Sequence, residues 1–407
     1  MLEAVAVRCC IVGGGPAGMM LGLLLARAGV DVLVLEKHAD FFCDFRGDTI
    51  HPSTLEVIHE LGLLDPFLKL PHQEVRELSG EVFGERLTLA DFTHLHAHCR
   101  FIALMPQWDF LNFLATEARR FPRFALRMEA EATDLIETAT GVCGVKVLTR
   151  EGLLDVHTDL VVGADGRHST VCSRAALESE QWGAPIDVLW FHLPRRPEDR
   201  AETGGYIQGG SFFVMINRDS YWQCGYVIRK GAFEAMRKED IALFRERIAR
   251  VAPFVAPVVS ALENWDAVKL LTVQVAHLRQ WFKPGLICIG DAAHAMSPVG
   301  GVGINLAIQD AVAAANLLAA PLRKGPAHVD DLRAVQRRRE WPVLLTQRAQ
   351  VAIQERVVVR VLEGKGEANP KLPLPLKLLR RFPVLRRIPA RLIGIGVRPE
   401  HVAVPAR

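Results

Sequence analysis

What this sequence has little of already limits the classes of protein it can encode. The 407-residue chain carries a formal net charge of only +3, too small to indicate a nucleic-acid partner. Half of its residues are hydrophobic and 23% are charged, so we expect a globular chain of about two domains. Its eight cysteines form no CxxC pair and no metal-ligand spacing, which favours reduced thiols in a cytoplasmic enzyme; they stand at positions 9, 10, 43, 99, 143, 172, 224 and 288.

The apolar N-terminal stretch 4–29 also lacks the features of a signal peptide or a membrane span. Arg8 and the glycines from Gly13 to Gly15 interrupt it, and no A-x-A cleavage pattern follows a basic leader. We expect a buried strand, a helix and a second buried strand instead, over 5–12, 17–28 and 31–35.

Three glycines in GxGxxG spacing stand between the first strand and this helix, which is the pattern of a dinucleotide-binding βαβ unit. Gly13 allows a tight turn, Gly15 lets the backbone approach a pyrophosphate, and Gly18 lets helix and strand pack closely. Glu36, at the end of the second strand, can accept hydrogen bonds from a ribose. The nucleotide-binding residues predicted here are Gly13, Gly15, Pro16, Ala17, Gly18, Glu36 and Lys37.

Two further strand-to-loop transitions carry an acid. Asp165 and Gly166 follow the apolar run 160–163, and Asp291 follows the apolar run 286–289. Three acids at three strand ends would suit one extended ligand along the carboxyl edge of a parallel sheet. After Asp291 the chain passes through Pro298 and a glycine cluster into an Ala/Leu-rich helical pattern.

The ordered motifs GGGPAG, Glu36, GADGRHS and GDAAHAMSPVGGVGIN resemble the class A FAD-dependent monooxygenases, the para-hydroxybenzoate hydroxylase family. The resemblance implies an α/β fold: a Rossmann-like FAD-binding domain with an inserted antiparallel β-sheet substrate domain and C-terminal helices. It also implies FAD as cofactor, NAD(P)H as co-substrate, and hydroxylation of an aromatic or similarly electron-rich small molecule by O2 through a flavin C4a-hydroperoxide. A flavin-dependent halogenase or reductase of the same superfamily, and a non-catalytic FAD-binding redox-responsive protein, stay open as alternatives.

The resemblance further implies residue roles. Asp165 and Gly166 would serve FAD and NAD(P)H, and Asp291 would bind the ribityl chain. Pro298 and the backbone amides of Gly300 to Asn305 would lie against the flavin ring, and the N–H groups of the turn would stabilise negative charge on its reduced form, so Pro298, Gly300 and Gly301 are the catalytic candidates. His294 is interpreted as part of the loop scaffold. The remaining cofactor-binding predictions are Arg46, Gln107, Gly290, Gly303, Ile304 and Asn305, with a surface or helix-terminal role as the alternative for Arg46 and Gln107.

The middle of the chain is predicted to be a β-rich substrate domain, with strands over 204–213, 212–217, 221–228 and 270–275. Phe213, Met215, Trp222 and Tyr226 are the substrate candidates, although a structural role is favoured for each of the three tyrosines, 206, 221 and 226. His94, His96 and His98 are predicted to lie on a solvated edge strand and not to bind a metal.

Sequence spacing also predicts how the domains divide. The FAD-binding domain is expected to comprise 1–75, 100–180 and 275–350, and the substrate domain 76–99 and 181–274. Residues 351–407 are expected to form a basic helical cap packed on the FAD domain, because prolines interrupt any long amphipathic helix; a membrane-surface role is the less favoured alternative. We expect a monomer or a homodimer.

Overall fold

The largest sheet of the protein is parallel at its centre and carries the expected nucleotide-binding unit. A computed structural model describes residues 3–42, 49–199, 203–364 and 372–405. The strands are β1 Glu3–Val12, β2 Val32–Leu35, β3 Thr49–Ile50, β4 Gln73–Val75, β5 Glu77–Val82, β6 Glu85–Asp91, β7 Ile102–Leu104, β8 Phe124–Arg127, β9 Glu131–Thr138, β10 Gly141–Thr149, β11 Gly152–Gly163, β12 Ser179–Gln181, β13 Ile186–Pro194, β14 Gly204–Gln208, β15 Ser211–Asn217, β16 Tyr221–Arg229, β17 Lys269–Leu271, β18 Ala276–Leu278, β19 Phe282–Lys283 and β20 Leu286–Cys288.

Helices cover this sheet and connect it to a second one. They are α1 Pro16–Arg27, α2 Pro52–Glu60, α3 Leu64–Leu68, α4 Gln107–Ala118, α5 Thr170–Arg174, α6 Phe233–Met236, α7 Ile241–Val251, α8 Gly303–Lys324, α9 Val329–Ile353, α10 Val359–Glu363, α11 Leu374–Arg381 and α12 Arg387–Gly394. Short 3-10 turns lie at Gly290–Ala292, Val299–Gly301 and Pro383–Arg386. A π-helical turn at Gln354–Val358 extends α9.

The first sheet has the strand order β19-β20-β11-β1-β2-β8, with β10 and then β9 added beside β11. The strands β20, β11, β1, β2 and β8 are mutually parallel, as a βαβ unit requires. Every residue of β2 is buried, which explains its continuous Val/Leu run. One face of this sheet packs against α1, α4 and α8, and the other packs against the β9–β10 hairpin and α5.

The second sheet has the order β17-β13-β16-β15-β14-β5-β6 and is antiparallel except where β5 joins β14. Helix α7 covers one of its faces with Phe244 and Ile248. Together the two sheets and the C-terminal helices confirm the predicted α/β fold class.

Helix α8 is the long apolar element of the core. Within the part of the chain that the structure describes, Val299–Lys324 is the one helical stretch long and apolar enough, by length and composition, to cross a membrane. Of its apolar window, 78% is buried inside the protein. The burial accounts for its composition without a bilayer, because α8 packs against α1 and α9.

Some local predictions were wrong. The strand expected over 204–213 is divided by a turn at Gly209 and Gly210, both with positive φ, and the strand expected over 270–275 ends at Leu271. The His94–His98 segment is a 3-10 turn and bends, not an extended edge strand. Helices α11 and α12 pack mainly on β6 of the second sheet, whereas residues 398–404 contact the helices that cover the first sheet.

Candidate functional site

The three acids singled out in the sequence follow three strands of the same parallel sheet. Glu36 follows β2, Asp165 follows β11, and Asp291 follows β20, with β1 and its glycine turn between β11 and β2. Because parallel strands end at the same edge, all three acids and the start of α1 lie along one side of the sheet. This edge is the candidate site.

The glycines after β1 differ in what surrounds them. Gly13 has φ +108°, and a Cβ built there would overlap the Ala164 carbonyl oxygen. A Cβ at Gly18 would overlap the Gly13 carbonyl oxygen. A Cβ at Gly15, by contrast, would meet no atom within 4 Å. Gly13 and Gly18 are therefore required by packing, and Gly15 alone presents its backbone to open space at the N-terminus of α1.

Two of the acids also hold their own loops. Glu36 accepts hydrogen bonds from the Gly14 amide at 2.8 Å and the His38 amide at 3.0 Å, while Lys37 is exposed. Asp165 accepts from the Ser169 hydroxyl and, at 3.1 Å, from the Val171 amide, which fixes the Gly166 turn and the start of α5. Burial raises the pKa of Asp165, although these hydrogen bonds oppose the rise.

Asp291 differs from them. Its carboxylate is partly exposed and forms no hydrogen bond or ion pair with any residue in 3–42, 49–199, 203–364 or 372–405. Its neighbour Gly290 has φ +60°, and a Cβ there would lie 3.1 Å from Ala17 Cβ and 3.3 Å from Ala307 Cβ. The Gly-Asp pair is thus pressed between α1 and α8, and the acid faces outward.

The turn from Pro298 to Gly301, here called the α8 turn, leads into helix α8. Gly300 and Gly301 have φ +81° and +63°, conformations that favour glycine. A Cβ at Gly301 would lie 2.8 Å from Thr49 Oγ1, and this hydroxyl donates to the Gly301 carbonyl at 2.9 Å. The amides of Gly303 and Ile304 open α8, so its positive end borders the turn.

Two polar atoms beside the α8 turn are buried without a partner among the described residues. Asn305 Oδ1 accepts from the His51 amide and from Thr54 Oγ1, but its Nδ2 has no partner there. His51 Nδ1 donates to the Ile393 carbonyl at 2.8 Å, which leaves Nε2 as an unprotonated acceptor without a partner in the described part. Burial lowers the pKa of His51 to about 4, against the opposing hydrogen bond to Ile393, so the ring is neutral.

Three glutamines of α9 and its π-helical extension bond the segments beside the α8 turn, and Gln350 among them bonds the turn itself; the sequence interpretation missed them. Gln347 Nε2 donates to the carbonyls of Ala276 and Ala295, and Gln350 Nε2 donates to those of Ser297 and Val299. Gln354 bonds the Ser297 hydroxyl. Their spacing of three and four residues on one helical face was a visible signal, but nothing in the sequence indicated which loop they would meet.

A buried charge network lies directly beneath the Gly290 turn. Asp310 accepts from the Gly290 amide at 3.0 Å, from His294 Nε2, and from Arg339 Nε at 2.9 Å, with His294, Asp310 and Arg339 all almost fully buried. Arg339 also reaches Glu400. Burial alone would raise the pKa of Asp310. The charges of His294 and Arg339, and the hydrogen bonds that these two residues donate to it, outweigh burial and lower the pKa.

The position of His294 agrees with a scaffold role, because its ring is buried and points away from the open edge toward Asp310. Gln107 is the first residue of α4 and is partly exposed there. Arg46 lies outside the described residues.

The substrate candidates lie on the covered face of the second sheet. Phe213 pairs with Tyr226, and Met215 pairs with Cys224, opposite one another. With Trp222 they are buried against α7. Their burial in one apolar cluster with Phe244 and Ile248 of α7 gives all four a packing role, and a substrate contact for Phe213, Met215, Trp222 and Tyr226 stays a prediction. The opposite face, with Val214 and Ile216, meets β7 and Ile393 near the α8 turn.

Tyr226 and His98 are each hydrogen-bonded to a neighbouring side chain. Tyr226 shares a hydrogen bond of 2.6 Å with Ser211, and burial raises the pKa of its phenol, which opposes a role as phenolate. His98 bonds Glu56 and stacks on His59. No group of three His, Cys, Asp or Glu side chains in the described part of the chain could hold a metal ion.

These features fit FAD on structural grounds. A dinucleotide needs a backbone open to its pyrophosphate, which Gly15 provides, and an acceptor for its polyol chain, which the outward carboxylate of Asp291 provides. The unpartnered Asn305 Nδ2 supplies a buried donor at the start of α8.

Comparison with known proteins agrees with this fit. A family model described as FAD binding domain matches residues 6–348. The chain is 31% identical over 385 residues to 6-methylpretetramide 4-monooxygenase of Streptomyces rimosus, covering 94% of this chain and 91% of that one. In fold it resembles the OxyS anhydrotetracycline hydroxylase of the same organism, with TM-score 0.75, 23% identity, and coverage of 97% of this chain and 77% of that chain. It also resembles p-nitrophenol 4-monooxygenase of Pseudomonas putida DLL-E4, with TM-score 0.73, 19% identity, and coverage of 98% and 100%.

Proposed function

We propose a reaction for this chain, which belongs to the FAD-binding-domain family and is an FAD-dependent monooxygenase of the aromatic hydroxylase type. The reaction consumes NAD(P)H and O2 and hydroxylates an aromatic, electron-rich small molecule. The observation that carries the proposal is the single sheet edge that gathers the open Gly15 turn, the outward Asp291 and the buried donor of Asn305. Bound FAD would supply the electron transfer and the activation of oxygen.

The chain's own residues would bind and orient this cofactor. We propose that Gly15 and the first turn of α1 hold the pyrophosphate, that Glu36 receives the adenosine ribose, and that Asp291 accepts from the ribityl hydroxyls. The first-turn amides of α8 would stabilise negative charge on the reduced ring, because they lie at the positive end of that helix.

NAD(P)H would bind outside the Asp165 loop. A cavity of about 360 Å³ lies there, and its lining is polar and apolar in about equal parts. The polar groups include Arg167, His168, Gln181 and Gln274, and Asp291 borders the cavity. These polar groups, and the position beside the acid proposed to bind the ribityl chain, support a docking place for the reductant.

The substrate would bind against the face of the second sheet that carries Val214 and Ile216, near the α8 turn. We also propose the division into an FAD-binding part (1–75, 100–180 and 275–350), a substrate part (76–99 and 181–274) and a C-terminal part (351–407). The pairing of β5 with β14 supports it, because that pairing brings residues 77–91 into the second sheet.

The substrate class can be tested directly. Purified protein should contain FAD, and one small molecule of a phenolic panel, extended to 6-methylpretetramide and anhydrotetracycline, should accelerate NADH or NADPH oxidation and gain one oxygen atom from ¹⁸O₂. Product without incorporated ¹⁸O, or NAD(P)H oxidation that yields only hydrogen peroxide with every compound, would contradict the proposed reaction.

The Asp291→Ala variant tests the cofactor's position. It should weaken FAD binding by about 1–3 kcal/mol, because hydrogen bonds to the polyol are lost. Asp330→Ala is the matched control, since Asp330 is exposed at the start of α9. Fluorescence titration of the apoprotein with FAD measures both, and equal affinities would mean that Asp291 does not contact the cofactor.

A further inference from the structure

An amphipathic surface covers the outer side of α11, the Pro383–Arg386 turn and α12, and is here called the C-terminal amphipathic surface. Six large apolar side chains on it are between 41% and 69% exposed: Leu374, Leu378, Phe382, Val384, Ile388 and Leu392. These six side chains stand within 19 consecutive residues. Few other segments among the described residues expose large apolar side chains at this density. An exposed apolar patch of this kind marks an interaction site.

The surface belongs to helices that contact the protein along their inner side, α12 more closely than α11, which has no buried residue of its own. On their inner side α11 and α12 lie along β6, and Ala390 and Gly394 are buried. A Cβ at Gly394 would lie 3.0 Å from Leu95 and 3.2 Å from Phe92, so α12 approaches the 3-10 turn at Phe92–His94 closely. The outward side chains therefore remain exposed while the helices are anchored.

The charge of the segment has one sign. Residues 372–399 contain no acidic residue and seven basic ones: Lys377, Arg380, Arg381, Arg386, Arg387, Arg391 and Arg398. Of the acids packed nearby, Glu85 bonds Arg380, and Asp91 is close enough to Arg387 for its pKa to be affected. Most of the positive charge stays uncompensated beside the apolar side chains.

Of three kinds of partner, a second copy of the chain, a nucleic acid and a lipid surface, the lipid surface satisfies both properties. A second copy of the chain would bring cations against cations in a self-complementary contact, which costs free energy. A nucleic acid would neutralise the cations but would leave the leucine, isoleucine and valine side chains against polar phosphates. An anionic lipid surface accepts the apolar side chains below the headgroups and the arginines among them.

We propose that the C-terminal amphipathic surface binds the interfacial region of an anionic lipid bilayer. The surface adjoins the candidate site, because the Ile393 carbonyl accepts from His51 and Leu392 lines a small cavity with Val302 and Asn305. Bilayer binding does not depend on which reaction the enzyme performs, so the proposal stands or falls separately from the proposed function.

The test measures co-sedimentation of the FAD-loaded full chain with vesicles. Vesicles of equal parts phosphatidylglycerol and phosphatidylcholine should retain the protein, vesicles of phosphatidylcholine alone should not, and high salt should release it. The variant Lys377→Gln/Arg387→Gln/Arg391→Gln should bind anionic vesicles on the order of a hundredfold more weakly. Leu378→Ser/Ile388→Ser should also weaken binding, by tenfold or more.

A matched control removes the same charge elsewhere. Lys146→Gln/Lys238→Gln/Lys324→Gln alters three exposed lysines outside the surface and should bind anionic vesicles as the parent does. FAD content and melting temperature should be unchanged in all three variants, since the altered side chains point to solvent. Equal binding to both vesicle types, binding to neither, or equal loss in the control would overturn the proposal. The proposal would also be overturned if the parent formed a dimer and bound no vesicles, while the Leu378→Ser/Ile388→Ser variant was a monomer.

Discussion

The two turns that border the candidate cofactor site are held in different ways. In the turn after β1, Gly13 and Gly18 fit because neighbouring backbone leaves no room for a side chain. The α8 turn is held by side chains that come from elsewhere in the chain, chiefly Thr49 and Gln350, with Asp310 supporting the Gly290 turn before it. One turn is thus defined by local sterics and the other by distant hydrogen bonds.

The difference teaches which substitutions each turn can tolerate. A turn whose shape depends on close backbone contacts should lose stability when a methyl group is added at Gly13 or Gly18, but not when it is added at Gly15. A turn held by side chains from elsewhere should instead respond to changes at residues such as Gln350, 51 residues from Val299, and to the protonation of the groups around it.

The largest effect is expected from a methyl group at Gly13. Gly13→Ala adds a strained φ and an overlap with the Ala164 carbonyl, and should lower the free energy of unfolding by about 4 kcal/mol. Gly15→Ala is the matched variant, because its Cβ meets no protein atom: stability should stay within about 0.5 kcal/mol while FAD affinity falls. Denaturant titration and FAD titration measure the two quantities, and equal destabilisation by both variants would contradict the steric account.

The next largest effect is expected beneath the Gly290 turn. Asp310→Asn removes the nearer of the two carboxylates that face the buried Arg339 and leaves it only the longer contact to Glu400, so it should lower the free energy of unfolding by about 3 kcal/mol. Asp330→Asn, at an exposed ion pair with Arg333, should change it by less than about 0.5 kcal/mol. Thermal unfolding of the apoproteins compares them. If both substitutions were equally mild, the network would not support the turn.

Protonation of His51, beside the α8 turn, should have a smaller effect on stability. The pKa of His51 is lowered to about 4 in the folded protein from 6.5 in the unfolded chain, so the unfolded state binds more protons between these values. Stability from this group is present above the unfolded pKa and should fall by about 2 kcal/mol between about pH 8 and about pH 5. A His51→Gln variant should lose that part of the pH dependence. Identical pH profiles of parent and variant would show that His51 is not held neutral.

The smallest effect is expected from the glutamines of α9. Gln350→Leu leaves the carbonyls of Ser297 and Val299 without their donor, and should cost about 1.5 kcal/mol of stability and weaken FAD binding. Leu345→Ala, on the exposed side of the same helix, is the control and should change neither quantity measurably. An FAD affinity unchanged in Gln350→Leu would mean that the α8 turn holds its shape without this donor.

The same comparison explains how much the sequence could predict. The GxGxxG turn, the strand-end acids and the α/β fold class followed from local patterns, because glycine spacing and apolar runs determine strand–turn–helix geometry over about 30 residues. The roles of Gly15 and Asp291 toward the cofactor stay predictions.

What the sequence could not predict depends on tertiary contacts. Alternation correctly placed Phe213 and Met215 on one face, but it cannot say which face a later helix covers, and α7 covers that one. The glutamines at 347, 350 and 354 looked like ordinary polar positions of a helix. The exposure of Ile388 and its neighbours could be recognised only once β6 was seen to occupy their inner side.

The charge network beneath Gly290 has a consequence for the order of folding. Glu400 completes the ion pairs of Arg339, and Arg27 of α1 donates to the Val404 carbonyl 377 residues away. Likewise β1 pairs with the nearby β2 over four residues, but its long parallel partner β11, with Glu3 opposite Leu154, comes more than 100 residues later in the chain. The nucleotide-binding unit therefore cannot reach its full stability as the first segment leaves the ribosome. That stability requires residues near 400, and until they are synthesised the apolar first helix lacks the contact that Arg27 makes with them.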